Sequence, residues 1–180
     1  MEILEALDQT FQHTQHVMDN VRPDQLDNET PCPEWTVRDL LEHQIGVVAG
    51  LGAAAGGQPR PSFTLSSDPA AQFAEVSAAT LKAWSAPGVL DQTINAGPGP
   101  MPARVLAGIN LLDTATHTWD LATATGQPAA LPPALAEAVM EQCQQIVTPQ
   151  LREGRFGPAV PAPEGADATE RLVAFLGRTP

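Results

Sequence analysis

The chain has 180 residues, a net charge of −12, two cysteines, no tyrosine and few other aromatics. This acidity excludes the basic surface that nucleic acid or an anionic membrane requires. No apolar run is long enough for a bilayer span, and the acidic, amphipathic start Met1-Glu2-Ile3-Leu4-Glu5 is unlike a signal peptide. The expectation is a soluble cytoplasmic protein forming one domain over residues 1–180. Alanine-rich composition with few β-branched runs favours helices, with a core of Leu, Val, Ile and Ala.

The first helix is expected from Glu2 to Val21, with Leu4, Leu7, Phe11, Thr14, Met18 and Val21 on one face. His13 and His16 fall on the opposite face and read as solvated histidines. Arg22 to Trp35 is a loop that Pro31-Cys32-Pro33 holds extended. No basic residue neighbours Cys32 in sequence to lower its pKa, so it reads as a packed or inert thiol. The second helix starts at a capping box: Thr36 is the N-cap, Asp39 lies three residues on, and Trp35 and Leu40 form a hydrophobic staple. Its apolar arc is Val37, Leu40, Leu41, Ile45, Val48 and Leu51, and His43 lies at the edge of that arc. Gly52 to Ser67 is a loop whose Gly56-Gly57 pair lacks the phosphate-loop pattern. Asp68 then caps a third helix, with Pro69 in its first position, that runs to about Trp84. Val89 to Pro102 reads as a loop with a short extended piece at Val89 to Ile94.

The fourth helix, Ala103 to Thr125, is closed by Gly126, and Val105, Leu106, Ile109, Leu112 and Trp119 fall on one arc. Asp113 lies inside that arc and His117 at its edge, four residues apart and therefore on one helix face. A carboxylate in an apolar stripe is costly unless paired or bound to a metal. On this helix alone an Asp–His hydrogen bond or a solvated polar pair is the simpler account. His43 supplies a third ligand type, and with it a His/Asp/His set with an open coordination position becomes readable. Asp120 reads as a surface residue in preference to a partner that orients a histidine. A fifth helix spans about Pro133 to Val147, with Cys143 on its core face. Arg152 to Ala166 is irregular. Asp167 and Glu170 form a second capping box, opening a last short helix that docks back. The sum is an all-α, four-helix bundle with an additional short C-terminal helix, in which long loops allow crossover connections.

Two stretches carry a family resemblance. Thr30-Pro31-Cys32-Pro33-Glu34-Trp35-Thr36-Val37-Arg38-Asp39-Leu40-Leu41-Glu42-His43 resembles the N-terminal signature of the DinB-like, mycothiol-dependent maleylpyruvate isomerase superfamily. His117-Thr118-Trp119-Asp120-Leu121-Ala122-Thr123-Ala124-Thr125-Gly126 is similar to its second signature, and Arg155-Phe156-Gly157-Pro158-Ala159-Val160 is also familiar. The chain is most similar to the actinobacterial-type branch described only as metal-binding. The resemblance implies a DinB-like bundle holding a divalent metal, zinc or alternatively nickel, on His43, Asp113 and His117. The family enzyme has Glu at the acidic position, where this chain has the shorter Asp113. The isomerase also carries a further C-terminal domain for which this sequence is too short, so isomerisation of maleylpyruvate itself is not the expectation.

Two functions follow from that reading. One is a metal-dependent enzyme that acts with a low-molecular-weight thiol and an electrophilic substrate, by thiol transfer or thiol-assisted isomerisation. The other is a noncatalytic metal-binding stress-response protein, a homodimer through a helix face. Neither cysteine has a readable base, so in the enzyme reading the protein supplies metal and pocket, and the nucleophile comes from outside. A deep cleft with an open coordination position favours the enzyme, whereas a closed four-ligand site favours a structural role.

Overall fold

The sequence folds into helices α1 (Ile3–Asp19), α2 (Val37–Ala55), α3 (Pro69–Trp84), α4 (Ala103–Thr125), α5 (Pro133–Ile146), α6 (Pro149–Arg152) and α7 (Ala168–Phe175). A two-stranded hairpin, β1 (Thr93–Asn95) with β2 (Pro100–Pro102), precedes α4. The computed structural model describes residues 1–97, 99–152 and 156–180. Among these, no helix is long and apolar enough to cross a membrane.

Local chemistry sets the helix starts. Thr36 Oγ1 accepts from the Asp39 amide at 3.3 Å and Asp39 Oδ2 accepts from the Thr36 amide at 2.9 Å, so the box satisfies two donors that a bare helix start leaves unpaired. Asp68 Oδ1 caps α3 through the Ala71 amide at 3.0 Å, and Asp167 with Glu170 repeats the reciprocal box at α7. Gly126, at φ 68°, turns the chain left-handed at the end of α4 and lets the Gln127 amide reach back to the Ala122 carbonyl at 2.9 Å.

Apolar periodicity sets the packing. α1 buries Leu7, Phe11 and Met18 with Thr10 and Thr14, and Phe11 meets Phe73 of α3 edge-on at 5.8 Å. Around the bundle the neighbours run α1, α3, α2, α4, so the consecutive helices α1 and α2 sit across a diagonal. The loop from Asn20 to Thr36 is the crossover that permits this. α2 and α3 approach closely because Gly52 has no side chain: a methyl there would overlap the Thr80 hydroxyl, which donates to the Val48 carbonyl at 3.0 Å. α5 lies on α4, and α7 lies on α5.

The structure differs from the sequence reading in several places: α2 continues through Gly52 to Ala55, where a loop is expected, and Pro149–Arg152 forms the short helix α6. The segment before α4 is not a loop with an extended piece at its start. Val89–Asp91 is a 3₁₀ turn, and the extended residues are Thr93–Asn95, paired antiparallel with Pro100–Pro102. The periodic arc expected on α4 is also too narrow. This helix is enclosed by α1, α2, α5 and the hairpin, and buries Asn110, Thr114, Thr116, Thr118 and Asp120 as well as its apolar residues. Threonines give these positions their tolerance for burial. Thr116 and Thr118 donate to the carbonyls four residues earlier at 2.6 and 2.7 Å. Gln44 of α2 then donates to the Thr114 carbonyl at 3.0 Å and to Thr118 Oγ1 at 3.1 Å, joining α2 to α4 by polar contacts next to His43.

Candidate metal centre

α2 and α4 bring His43, Asp113 and His117 together at one wall of a cleft of about 880 Å³. One ligand atom from each lies within 4.8 Å of the other two. His43 Nε2 is 3.5 Å from Asp113 Oδ1, and His117 Nε2 is 3.7 Å from the same oxygen. Both distances are long for an N–H···O hydrogen bond, which prefers roughly 2.7–3.2 Å. The first falls within, and the second just beyond, the spacing of ligands that share one ion: bonds of roughly 2.0–2.2 Å at tetrahedral angles separate ligand atoms by roughly 3.3–3.6 Å. The second carboxylate oxygen, Asp113 Oδ2, is buried with no hydrogen-bond partner among the described residues. An orphaned anionic oxygen is costly in the interior and marks a place for a cation. The donor set, two imidazoles and a carboxylate, is that of a zinc, nickel or similar divalent site.

The other side of His117 is a true hydrogen bond. Nδ1 lies 2.9 Å from Asp120 Oδ2. Asp120 is fully buried, and its carboxylate can only accept, so Nδ1 carries the hydrogen and Nε2 faces Asp113. Arg178, from the tail after α7, donates to the same carboxylate with both prongs: Nη2 to Oδ2 at 2.8 Å and Nε to Oδ1 at 3.2 Å. Cys32 Sγ donates to Asp120 Oδ2 at 3.2 Å and lies 3.7 Å from His117 Nδ1. Cys32, His117 and Asp120 form a second group with metal-ligand spacing, but the Arg178 guanidinium already supplies the cation there.

Charge and burial decide the protonation states. Burial works against a charged His117, but the Asp113 carboxylate, followed by the hydrogen bond to Asp120, outweighs it and holds the pKa up at about 10. Burial pushes the Asp113 carboxyl up, yet the His117 charge and the His43 contact prevail and leave it below the usual range. Asp120 is likewise pulled down, against burial, by His117 and Arg178. Two carboxylates against one guanidinium leave the centre one negative charge in excess. Without metal a protonated His117 neutralises it, and a divalent cation can take that place.

The loop before α2 supplies a further part of the cleft wall, with Pro31, Cys32, Pro33 and Trp35. Gln25 Nε2 and Asn28 Nδ2 donate to the Thr125 and Ala124 carbonyls at 2.9 and 3.1 Å, satisfying the C-terminal end of α4. Thr30 Oγ1 donates to the Trp35 carbonyl at 3.0 Å and accepts from the Cys32 amide at 3.1 Å. That folding, with Glu34 at φ 67°, sets the Trp35 ring 4.7 Å from His43 and 5.8 Å from His117. Trp35 therefore does more than staple the helix start, since it packs on two ligand candidates. Ile109, Leu112, Phe156 and Leu176 add apolar lining to the cleft, beside the polar Thr116, Arg178 and Thr179. Arg155 lies outside the described residues.

One sequence expectation is corrected here. Asp120 is not a surface residue; it is fully buried, and Arg178 of the tail brings it a cation. Cys32 is half-buried on the cleft with Arg178 Nη2 at 3.8 Å, so its basic neighbour comes from the far end of the chain. Arg178 had no signal in the sequence, because 58 residues separate it from Asp120. His43, Asp113 and His117 do converge, whereas His13, half-buried, and His16, exposed, are not among the groups with metal-ligand spacing in the described residues. Cys143 is buried in the core, as its helical face implied.

Residues 7–122 match the family model described as mycothiol maleylpyruvate isomerase N-terminal domain, a span that contains His43, Asp113, His117 and Asp120. Two uncharacterised proteins of Mycobacterium tuberculosis, from strains H37Rv and CDC 1551, are each 38% identical over 162 residues, covering 89% of this chain and 88% of theirs. No solved structure matches the chain. With the matched span taking in the whole first signature stretch and His117 to Ala122 of the second, the chain belongs to the mycothiol maleylpyruvate isomerase N-terminal domain family.

Proposed function

We propose that this protein is a divalent-metal enzyme that joins a low-molecular-weight thiol to a small electrophile or isomerises one by transient thiol addition. His43, Asp113 and His117 hold the metal, zinc or nickel. One observation carries this reading: the two histidine Nε2 atoms stand 3.5 and 3.7 Å from one carboxylate oxygen, at or just beyond ligand–ligand spacing, on the wall of an open cleft. The opening favours a catalytic over a closed structural site. The bound ion would take a thiol sulfur as thiolate at neutral pH.

The chain's own residues do the remaining work. Trp35 packs beside the two imidazoles, 4.7 Å from His43 and 5.8 Å from His117, and helps to hold them in place. Ile109, Leu112, Phe156 and Leu176 give an electrophile an apolar bed beside the ligands. Asp120 holds His117 in the tautomer whose Nε2 is available. With a divalent ion in place the cluster carries one net positive charge, which suits an incoming thiolate. The family description, which names mycothiol, supports the thiol. The test is metal analysis of the purified protein followed by a screen of small thiols against electrophiles. Turnover that needs both metal and added thiol is the expected result, and turnover surviving chelation and thiol removal would refute the proposal.

A further inference from the structure

We propose that Arg178 is the positioning residue of the metal centre: paired by two prongs with buried Asp120, it fixes the acceptor that holds His117 Nε2 toward Asp113 and His43. This rests on the ligand assignment above. Three segments distant in sequence meet on the Asp120 carboxylate: α4 through His117 Nδ1 at 2.9 Å, the loop before α2 through Cys32 Sγ at 3.2 Å, and the tail through Arg178 Nη2 at 2.8 Å. Of these only Arg178 bonds both oxygens, and a forked pair sets the orientation of the carboxylate plane as a single contact does not.

The guanidinium is placed by backbone, which a positioning role requires. The Arg178 amide donates to the Val173 carbonyl at 2.9 Å, and its Nη1 to the Leu176 carbonyl at 3.2 Å. Gly177 before it is left-handed, at φ 85°, and crosses Gly157 so closely that a methyl on Gly177 would sit 2.9 Å from the Gly157 backbone. Arg178 also lines the cleft, where an arginine invites reading as an anchor for an anionic substrate. Its Nε, Nη1 and Nη2 are each already committed to protein acceptors, to Asp120 above all, so its work is on His117.

The test measures metal affinity by chelator competition with Ni²⁺, and the visible spectrum of the Co²⁺-loaded protein, for wild type, Arg178→Ala, Arg178→Lys and Asp120→Asn. Loss of such an outer partner weakens metal binding by about 10–100-fold. Arg178→Ala should fall in that range and shift the Co²⁺ bands. Guanidinium chloride at low millimolar concentration should restore both, equal sodium chloride should not, and Asp120→Asn should not respond. Arg178→Lys, a point charge without the fork, should be intermediate. Wild-type affinity in Arg178→Ala, or a loss that guanidinium does not reverse, overturns the proposal. Should Arg178→Ala not fold by circular dichroism, wild-type affinity in Arg178→Lys overturns it. A wild-type protein that binds neither ion removes the ligand assignment itself, a failure distinct from the others.

Discussion

Metal binding should depend on pH well above the ordinary histidine range. In the metal-free protein His117 keeps its proton up to a pKa of about 10. Metal and proton compete for Nε2, so below about 10 each pH unit costs a factor of ten in apparent affinity, about 1.4 kcal/mol. At pH 7 the accumulated cost is about 4 kcal/mol, small beside the roughly 10–16 kcal/mol that structural zinc sites supply, so metal still binds. An unperturbed histidine would instead level off above about 6.5. Chelator competition with Ni²⁺ from pH 6 to 9, corrected for chelator protonation, gives the slope directly. The logarithm of the affinity should rise by about one per unit between pH 7 and 9. A flat profile over that interval would refute the argument that Asp113 and Asp120 hold His117 charged. Stability of the metal-free protein should run the opposite way. The folded pKa of His117 is raised, so its contribution is complete below about 6.5 and lost as pH rises through about 10. Metal should abolish that alkaline loss.

Two further outcomes test the packing. Burial pushes the Cys143 thiol up to about 12, so iodoacetamide at pH 8 should label Cys32 in the native protein and Cys143 only after denaturation, as read by mass spectrometry; rapid native labelling of Cys143 would contradict its place in the core. Gly52→Ala forces a methyl into Thr80 between α2 and α3 and should cost about 1–3 kcal/mol in chemical denaturation; an unchanged midpoint would mean the helices part freely.

The bundle was legible in the sequence because its signals are local. Thr36 with Asp39, Asp68 with Pro69, and Asp167 with Glu170 mark helix starts within three or four residues, and each forms the cap it advertises. His43 and the Asp113–His117 pair were legible as ligand types at core edges, since helical spacing is enough to place them. The network behind them was not. Asp120 lies three residues from His117, the right spacing to bond it, yet its burial depends on the tail. Cys32 and Arg178 reach Asp120 across 88 and 58 residues, separations at which no periodicity speaks. α4 misled for a related reason. Its buried threonines satisfy themselves on their own helix, so an enclosed helix presents the composition of a half-exposed one.

The central claim is tested most directly by metal content per chain, measured on purified wild type and on His43→Ala, Asp113→Ala, His117→Ala, His13→Ala and His16→Ala. Wild type should hold one divalent ion per chain, and His13→Ala and His16→Ala should retain it. Most of the ion should be lost in His43→Ala and His117→Ala, with a smaller loss in Asp113→Ala, where water can stand in for the carboxylate. Full occupancy in His43→Ala or His117→Ala, or loss in His13→Ala, would contradict the claim.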